Sequence, residues 1–279
     1  MAVRRTTIAA RGLRFDALTS GPRTGELVLL LHGFPQNAEC WRPALVSLGA
    51  AGYRAVAPDQ RGYCDGAMLE GVEAYRVDEL IDDVVAMAAA LAPGPFHLVG
   101  HDWGGTVAWG VATRHPELLR SLTAVSTPHS AALAEALRGT RQRLQMSYIP
   151  VLRLPNLAEW GFELAGGALV ENALVATGLT RQRAHDDVAR LRRLGPTGAL
   201  NWYRAIETGR RLSGRPVTAR TLHIWGDHDV AFTREATELT AQHVSAPYHL
   251  VELSGAGHWI PDQHWADVED LVLDHLRGA

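Results

Sequence analysis

The chain has 279 residues, 47% hydrophobic and 20% charged, with 27 basic side chains against 30 acidic ones. A net charge of −3 offers no basic field for nucleic acid or an anionic membrane, and no apolar run approaches the roughly 20 residues that span a bilayer. Two cysteines, Cys40 and Cys64, make neither a disulfide framework nor a CxxC zinc pair, and the complete absence of lysine removes Schiff-base, pyridoxal phosphate and P-loop chemistry.

The opening MAVRRTT lacks the apolar centre of a signal peptide, so the expectation is a soluble, reduced, cytoplasmic globular protein. The length suits two units, or one α/β domain with an insertion. Residues 26–31 (ELVLLL), 53–57 (YRAVA), 96–100 (FHLVG) and 121–126 (SLTAVS) read as buried strands. Between two of them Val77, Leu80, Ile81, Val84, Val85 and Ala88 recur at helix spacing. Strands alternating with helices imply right-handed crossovers and a mostly parallel sheet. From 128 to 216 the chain is helical in propensity and rich in arginine. It is broken by Pro150, Pro155, Gly166-Gly167 and Pro196, with no convincing strand. Strand signals return at 220–225 (RTLHIW) and 248–253 (YHLVEL). A closing helix then carries Val268, Leu271, Val272, His275 and Leu276 on one face. The economical reading is an α/β core, 1–127 plus 217–279, interrupted by a helical lid over 128–216.

The joint after the strand at 96–100 is Gly100-His101-Asp102-Trp103-Gly104, and a helical pattern follows. G-x-D-x-G is the nucleophile-elbow pattern with aspartate in the place of the usual serine. Glycines flank the central residue because a strained turn leaves no room for side chains two positions away. Two further elements follow in the order nucleophile, acid, histidine. Gly226-Asp227-His228-Asp229 comes after one strand and Gly257-His258-Trp259 after the next. Upstream, His32-Gly33-Phe34-Pro35 follows the first buried strand, where an oxyanion loop belongs.

With HGFP (32–35), DQRGY (59–63), GHDWGG (100–105), GDHD (226–229) and GHW (257–259), the sequence resembles the epoxide hydrolase family of the α/β-hydrolase superfamily. The resemblance covers the sheet region on both sides of the insertion and implies an α/β-hydrolase fold. It also favours Asp229 over Asp227 as the acid, by the spacing of glycine, two residues, acid. Some relatives carry the acid earlier, but here that position reads Thr127-Pro128-His129 and offers no carboxylate.

An aspartate nucleophile, already ionised at neutral pH, suits displacement at a tetrahedral carbon and disfavours esterase, lipase and peptidase readings. The expected route forms an alkyl ester on Asp102. Water activated by His258, itself oriented by Asp229, then hydrolyses that ester, with the backbone N–H groups of Phe34 and Trp103 as the oxyanion hole. Two tyrosines lie in the insertion. Tyr203, in Asn201-Trp202-Tyr203-Arg204, and Tyr148, seven residues before Pro155, match by resemblance the two lid phenols that protonate an opening oxirane. Phe34, Trp103, Tyr148 and Tyr203 are therefore expected to line the pocket of a small-molecule epoxide, with water as co-substrate.

No cofactor, metal, nucleic acid or membrane partner is expected, and oligomeric state stays open. Haloalkane dehalogenation on the same Asp–His–Asp set is the alternative, since the Trp103 indole serves either chemistry; Phe34, where many dehalogenases carry asparagine, speaks weakly against it. A non-catalytic small-molecule receptor is the second. The plain readings are a turn aspartate at 102, packed tyrosines in the lid, structural roles for His32 and His101, and a solvated turn at Asp227. They extend to a structural or pocket-edge loop at Asp59 and Arg61, and a solvated lid face at Arg192-Arg193 and Arg210-Arg211.

Overall fold

Five consecutive apolar residues, Leu27–Leu31, form a strand whose side chains alternate between two buried faces. Leu27, Leu29 and Leu31 enter one apolar cluster, Val28 and Leu30 the other. A strand buried on both sides needs helices above and below it, and that requirement sets the architecture.

A computed structural model describes residues 2–206 and 215–279. The strands are β1 (Arg4–Ala10), β2 (Leu13–Ser20), β3 (Leu27–Leu31), β4 (Arg54–Pro58), β5 (Phe96–His101), β6 (Leu119–Val125), β7 (Arg220–Gly226) and β8 (Tyr248–Leu253). They form one sheet in the order β1-β2-β4-β3-β5-β6-β7-β8. Pairing is antiparallel from β1 to β4 and parallel thereafter. The helices of the first part are α1 (Arg42–Ala50), α2 (Val77–Leu91) and α3 (Trp103–Arg114). Between β6 and β7 come α4 (Ser130–Ala136), α5 (Thr140–Gln145), α6 (Ile149–Arg153), α7 (Leu157–Glu163), α8 (Ala168–Ala176), α9 (Arg181–Leu194) and α10 (Thr197–Arg204). After β7 come α11 (Arg234–Leu239), α12 (Ile260–Gln263) and α13 (Trp265–Arg277). Helices α2 and α3 cover one face of the sheet, α1 and α13 the other.

The six expected strands are present, with ends moved by at most two residues. The β1–β2 hairpin was not among them. Its outward residues are charged or small, so only Ile8, Ala10, Phe15 and Ala17 mark its inner face. A two-residue Arg11-Gly12 turn closes it, with φ of 51° and 75°.

The closing helix buries Val268, Val272, His275 and Leu276 as expected, but Leu271 is 38% exposed and Leu273 is buried instead. These two leucines flank opposite sides of the same stripe, and packing takes the Leu273 side. On α2, Asp83 is buried among the expected apolar residues, where it meets Arg61 and Arg11.

Among the described residues the stretch between β6 and β7 holds helices and no strand. Pro155 follows α6, Pro196 precedes α10, and Gly166 and Gly167 take positive φ between α7 and α8. Pro150 starts a helix rather than ending one, because the first turn does not need its N–H. Arg183, Asp187 and Arg190 of α9 fasten this stretch to the sheet region. Arg183 pairs with Asp262 at 2.8 Å, Asn37 Nδ2 donates to Asp187 at 2.8 Å, and Arg190 pairs with Asp59 at 2.5 Å. Arg193 is exposed, whereas Arg192 donates to the Gly166 carbonyl at 2.9 Å; Arg210-Arg211 lies outside the described residues.

Candidate active site

The carboxyl ends of β3, β5, β7 and β8 converge, and each delivers one part of the site. Asp102 caps β5 with φ 51° and ψ −121°, a conformation that strains a residue bearing a Cβ, and α3 begins at the next residue. Gly100 and Gly104 allow the turn: a Cβ on the first would strike the Gly104 carbonyl, and one on the second the carbonyls of Leu31 and His32. The helix start also places partial positive charge beneath the Asp102 carboxylate.

From β3, the Phe34 backbone N–H donates to Asp102 Oδ1 at 2.8 Å, and the Trp103 N–H also serves this carboxylate. His32 fixes the loop that carries Phe34. Its Nδ1 donates to the Gly33 carbonyl at 3.0 Å and its Nε2 accepts from the Gln60 N–H at 3.1 Å. Burial holds this ring neutral, lowered to about 3.

Asp229, after β7, accepts at Oδ1 from the N–H groups of Ala231 (2.7 Å) and Phe232 (3.0 Å). Its Oδ2 takes a hydrogen bond from His258 Nδ1 at 2.9 Å. The other ring nitrogen, Nε2, faces Asp102 Oδ2 at 3.7 Å, an ionic contact too long for a hydrogen bond. Asp227 instead accepts from the Gly255 N–H at an exposed turn. The His258 carbonyl accepts from His101 Nε2 (2.9 Å) and Ser126 Oγ (3.0 Å), which locks the backbone behind the imidazole. Burial disfavours charge on His258, but the Asp229 and Asp102 carboxylates outweigh it and push the ring up to about 10. Burial likewise works against the Asp102 carboxylate, yet its contact with His258 keeps it below the usual carboxylate range.

A cavity of about 660 Å³ opens above this group, lined by Asp102, Trp103, Tyr148, Trp202, Tyr203 and Phe232 among others. Tyr203 is buried, its ring edge-to-face with Trp103 at 5.2 Å and Phe34 at 5.1 Å. Burial, then the Tyr148 phenol and the Asp102 carboxylate, push the Tyr203 hydroxyl well above its ordinary value. Tyr148 is 40% exposed within the cavity wall, and burial of its phenol beside the Asp102 and Asp229 carboxylates raises it too. Phe34, expected to line the pocket, sits beside it against Tyr203 of the cavity wall. Its ring packs edge-to-face on Phe162 and Tyr203, and its backbone N–H reaches Asp102. Among the described residues no three His, Cys, Asp or Glu side chains gather as a metal site.

The α/β-hydrolase fold family matches residues 26–264. A Bacillus subtilis (strain 168) AB hydrolase superfamily protein, YfhM, is 32% identical over 97% of both chains. Human Epoxide hydrolase 4 is 32% identical over 95% of this chain and 76% of its own. The crystal structure of Epoxide Hydrolase A from Mycobacterium thermoresistibile superposes with a TM-score of 0.86 at 27% identity, covering 99% of each chain. The chain belongs to the epoxide hydrolase family of the α/β-hydrolase superfamily.

Membership of this family does not by itself explain three residues that sequence reasoning passed over. Ser126 leaves β6 with φ 50° and holds the His258 carbonyl; its only sequence signal is its place at a strand end. Phe232 adds its N–H to Asp229 and its side chain to the cavity, and Trp202 joins the lining while its indole donates to the Arg61 carbonyl at 2.9 Å. Phe232 carries no motif and reaches the site through the fold, whereas Trp202 lies in the Asn201–Arg204 segment, of which only Tyr203 was singled out. Asp59 and Arg61 fall where a structural loop was expected: Asp59 meets Arg190 of α9, and Arg61 forks onto Asp83 at 2.6 and 2.7 Å.

Proposed function

We propose that this chain hydrolyses an epoxide to a vicinal diol through an alkyl ester on Asp102, with helices α4–α10 serving as the lid of the 128–216 insertion. The reading is carried by one observation, the unequal environment of the two Asp102 oxygens. Oδ1 is occupied by the Phe34 N–H, whereas Oδ2 lies on the His258 side and is free to attack. Oδ2 displaces the oxirane C–O bond at carbon, and the released oxygen takes a proton from Tyr148 or Tyr203.

Esterification removes the Asp102 charge that had helped hold the His258 proton, so the imidazolium passes that proton to the phenolate and becomes a base. It then takes a proton from water as the hydroxide adds to the Asp102 carbonyl. The oxyanion forms where Phe34 and Trp103 direct their N–H groups. Collapse breaks the ester C–O bond, and the diol oxygen takes its proton back from His258. The new Asp102 carboxyl returns its own proton to the imidazole, which restores the resting charges. Relatives named as epoxide hydrolases support the substrate class.

The test is a limited turnover of styrene oxide in ¹⁸O-labelled water with enzyme in excess. The expected result is diol carrying unlabelled oxygen, with label in the peptide that holds Asp102. Diol labelled directly from water would overturn the ester, and no diol with release of halide from haloalkanes would overturn the substrate class.

A further inference from the structure

The described residues expose eleven large hydrophobic side chains strongly, and eight fall between Leu144 and Leu169 on α5–α8 and their connections, seven of them besides Tyr148 of the cavity wall. The rest of the described molecule contributes only Val46, Val230 and Leu271. Leu144 (67%), Val151 (51%), Leu157 and Trp160 (56%) come from three consecutive short helices, and Leu154 directly follows the second. Single exposed leucines are ordinary, whereas this concentration marks a surface that meets something apolar.

Charge identifies the partner. From 136 to 163 the chain carries Arg138, Arg141, Arg143 and Arg153 against Glu159 and Glu163, a local charge of 4 − 2 = +2 inside a chain of −3, and the two glutamates are paired with Arg204 and Arg192. None of the four pairs with a carboxylate among the described residues, while the lid arginines Arg183, Arg190 and Arg204 are all paired. The average charge that gave no reason to expect an anionic membrane conceals this segment.

From this combination we infer that the α5–α7 face docks on an anionic lipid bilayer surface. Leucines, valine and Trp160 enter the interfacial layer, and the arginines reach its phosphates. A second copy fits worse, because a two-fold contact sets this patch against itself and brings unpaired arginines together. The same stretch borders the cavity through Arg143, Met146, Tyr148 and Arg153. Docking therefore brings the cavity mouth to the lipid, where an apolar epoxide concentrates; this last consequence alone rests on the proposed reaction.

The test is flotation of the full chain with vesicles of phosphatidylcholine alone or with about one-third phosphatidylglycerol. Wild type floats with the anionic vesicles and stays behind with the neutral ones. Arg138→Glu with Arg141→Glu lowers binding by about fivefold or more per arginine. Trp160→Ser lowers binding that survives high salt, with melting curves confirming that each variant folds. Absence of flotation, or flotation unchanged in both variants, overturns the inference. Dimers that Trp160→Ser dissociates, without vesicle binding, overturn it in favour of a second copy. Flotation needs no epoxide turnover, so its outcome and that of the labelling experiment are independent.

Discussion

The Phe34 N–H reaches Asp102 Oδ1 at 2.8 Å across a gap that only glycine at position 33 permits. A Cβ on Gly33 would overlap the Asp102 carboxylate itself. Gly33→Ala is therefore expected to displace the Asp102 carboxylate and lower kcat/KM by about 10²-fold. Steady-state kinetics on styrene oxide would check it, and an unchanged rate in a folded variant would refute the placement.

If His258 acts after the ester rather than before it, its loss leaves the first step intact. His258→Gln is expected to form ester once and stop, with the peptide holding Asp102 gaining the mass of one epoxide. Asp229→Asn should slow hydrolysis of the same ester, since it removes the hydrogen bond at 2.9 Å that orients the ring. Mass spectrometry after mixing decides, and an absence of adduct in both variants would count against the covalent route.

The two lid phenols are raised by burial and so stay protonated at neutral pH, which suits a donor. Tyr203→Phe and Tyr148→Phe should each slow ester formation from an epoxide by about 10²-fold. Neither should affect release of halide from an alkyl bromide, if any occurs. Rapid-mix measurement of the ester separates the two cases.

Arg61 and Asp83 are both buried and joined by two hydrogen bonds. Removing Arg61 leaves the buried Asp83 carboxylate with Arg11 as its remaining charged partner, so Arg61→Ala should cost about 2–3 kcal/mol of stability. Urea unfolding would measure it, and a loss under about 1 kcal/mol would show the pair to be dispensable.

Stability should peak near neutral pH. Burial lowers His32 and His223 to about 3, and His101, His129 and His275 to about 4. The unfolded chain takes up these protons near pH 6.5 and the folded one does not, so stability falls as pH drops below that value. Asp59, pushed up to about 6 by burial, opposes the trend, as do Asp187 and Asp262, which burial also raises. His258, raised to about 10, contributes stability that is full below about 6.5 and lost as pH rises through 10. Urea midpoints across pH would test both slopes.

Much of this was legible along the chain. The elbow sequence predicts its own geometry, because Gly100 and Gly104 permit the turn that gives Asp102 its positive φ. The parallel strands announced themselves as apolar runs, since burial on two faces leaves no polar alternation. The β1–β2 hairpin stayed hidden because its outer face is polar and its inner face carries few large residues.

The sequence by itself determined the residue types of the site and their order, because a strained turn and a strand end are local properties of the chain. Only the tertiary structure decided between Asp227 and Asp229, which are two residues apart: one turns to the Gly255 N–H and the other to His258. It also decided that Phe34 turns its backbone N–H to Asp102 and packs its ring on Phe162 and Tyr203, and that among the described residues the arginines of α5 and α6 pair with no carboxylate beside exposed leucines. These outcomes depend on which distant segments arrive at each side chain, and spacing along one chain does not encode that meeting.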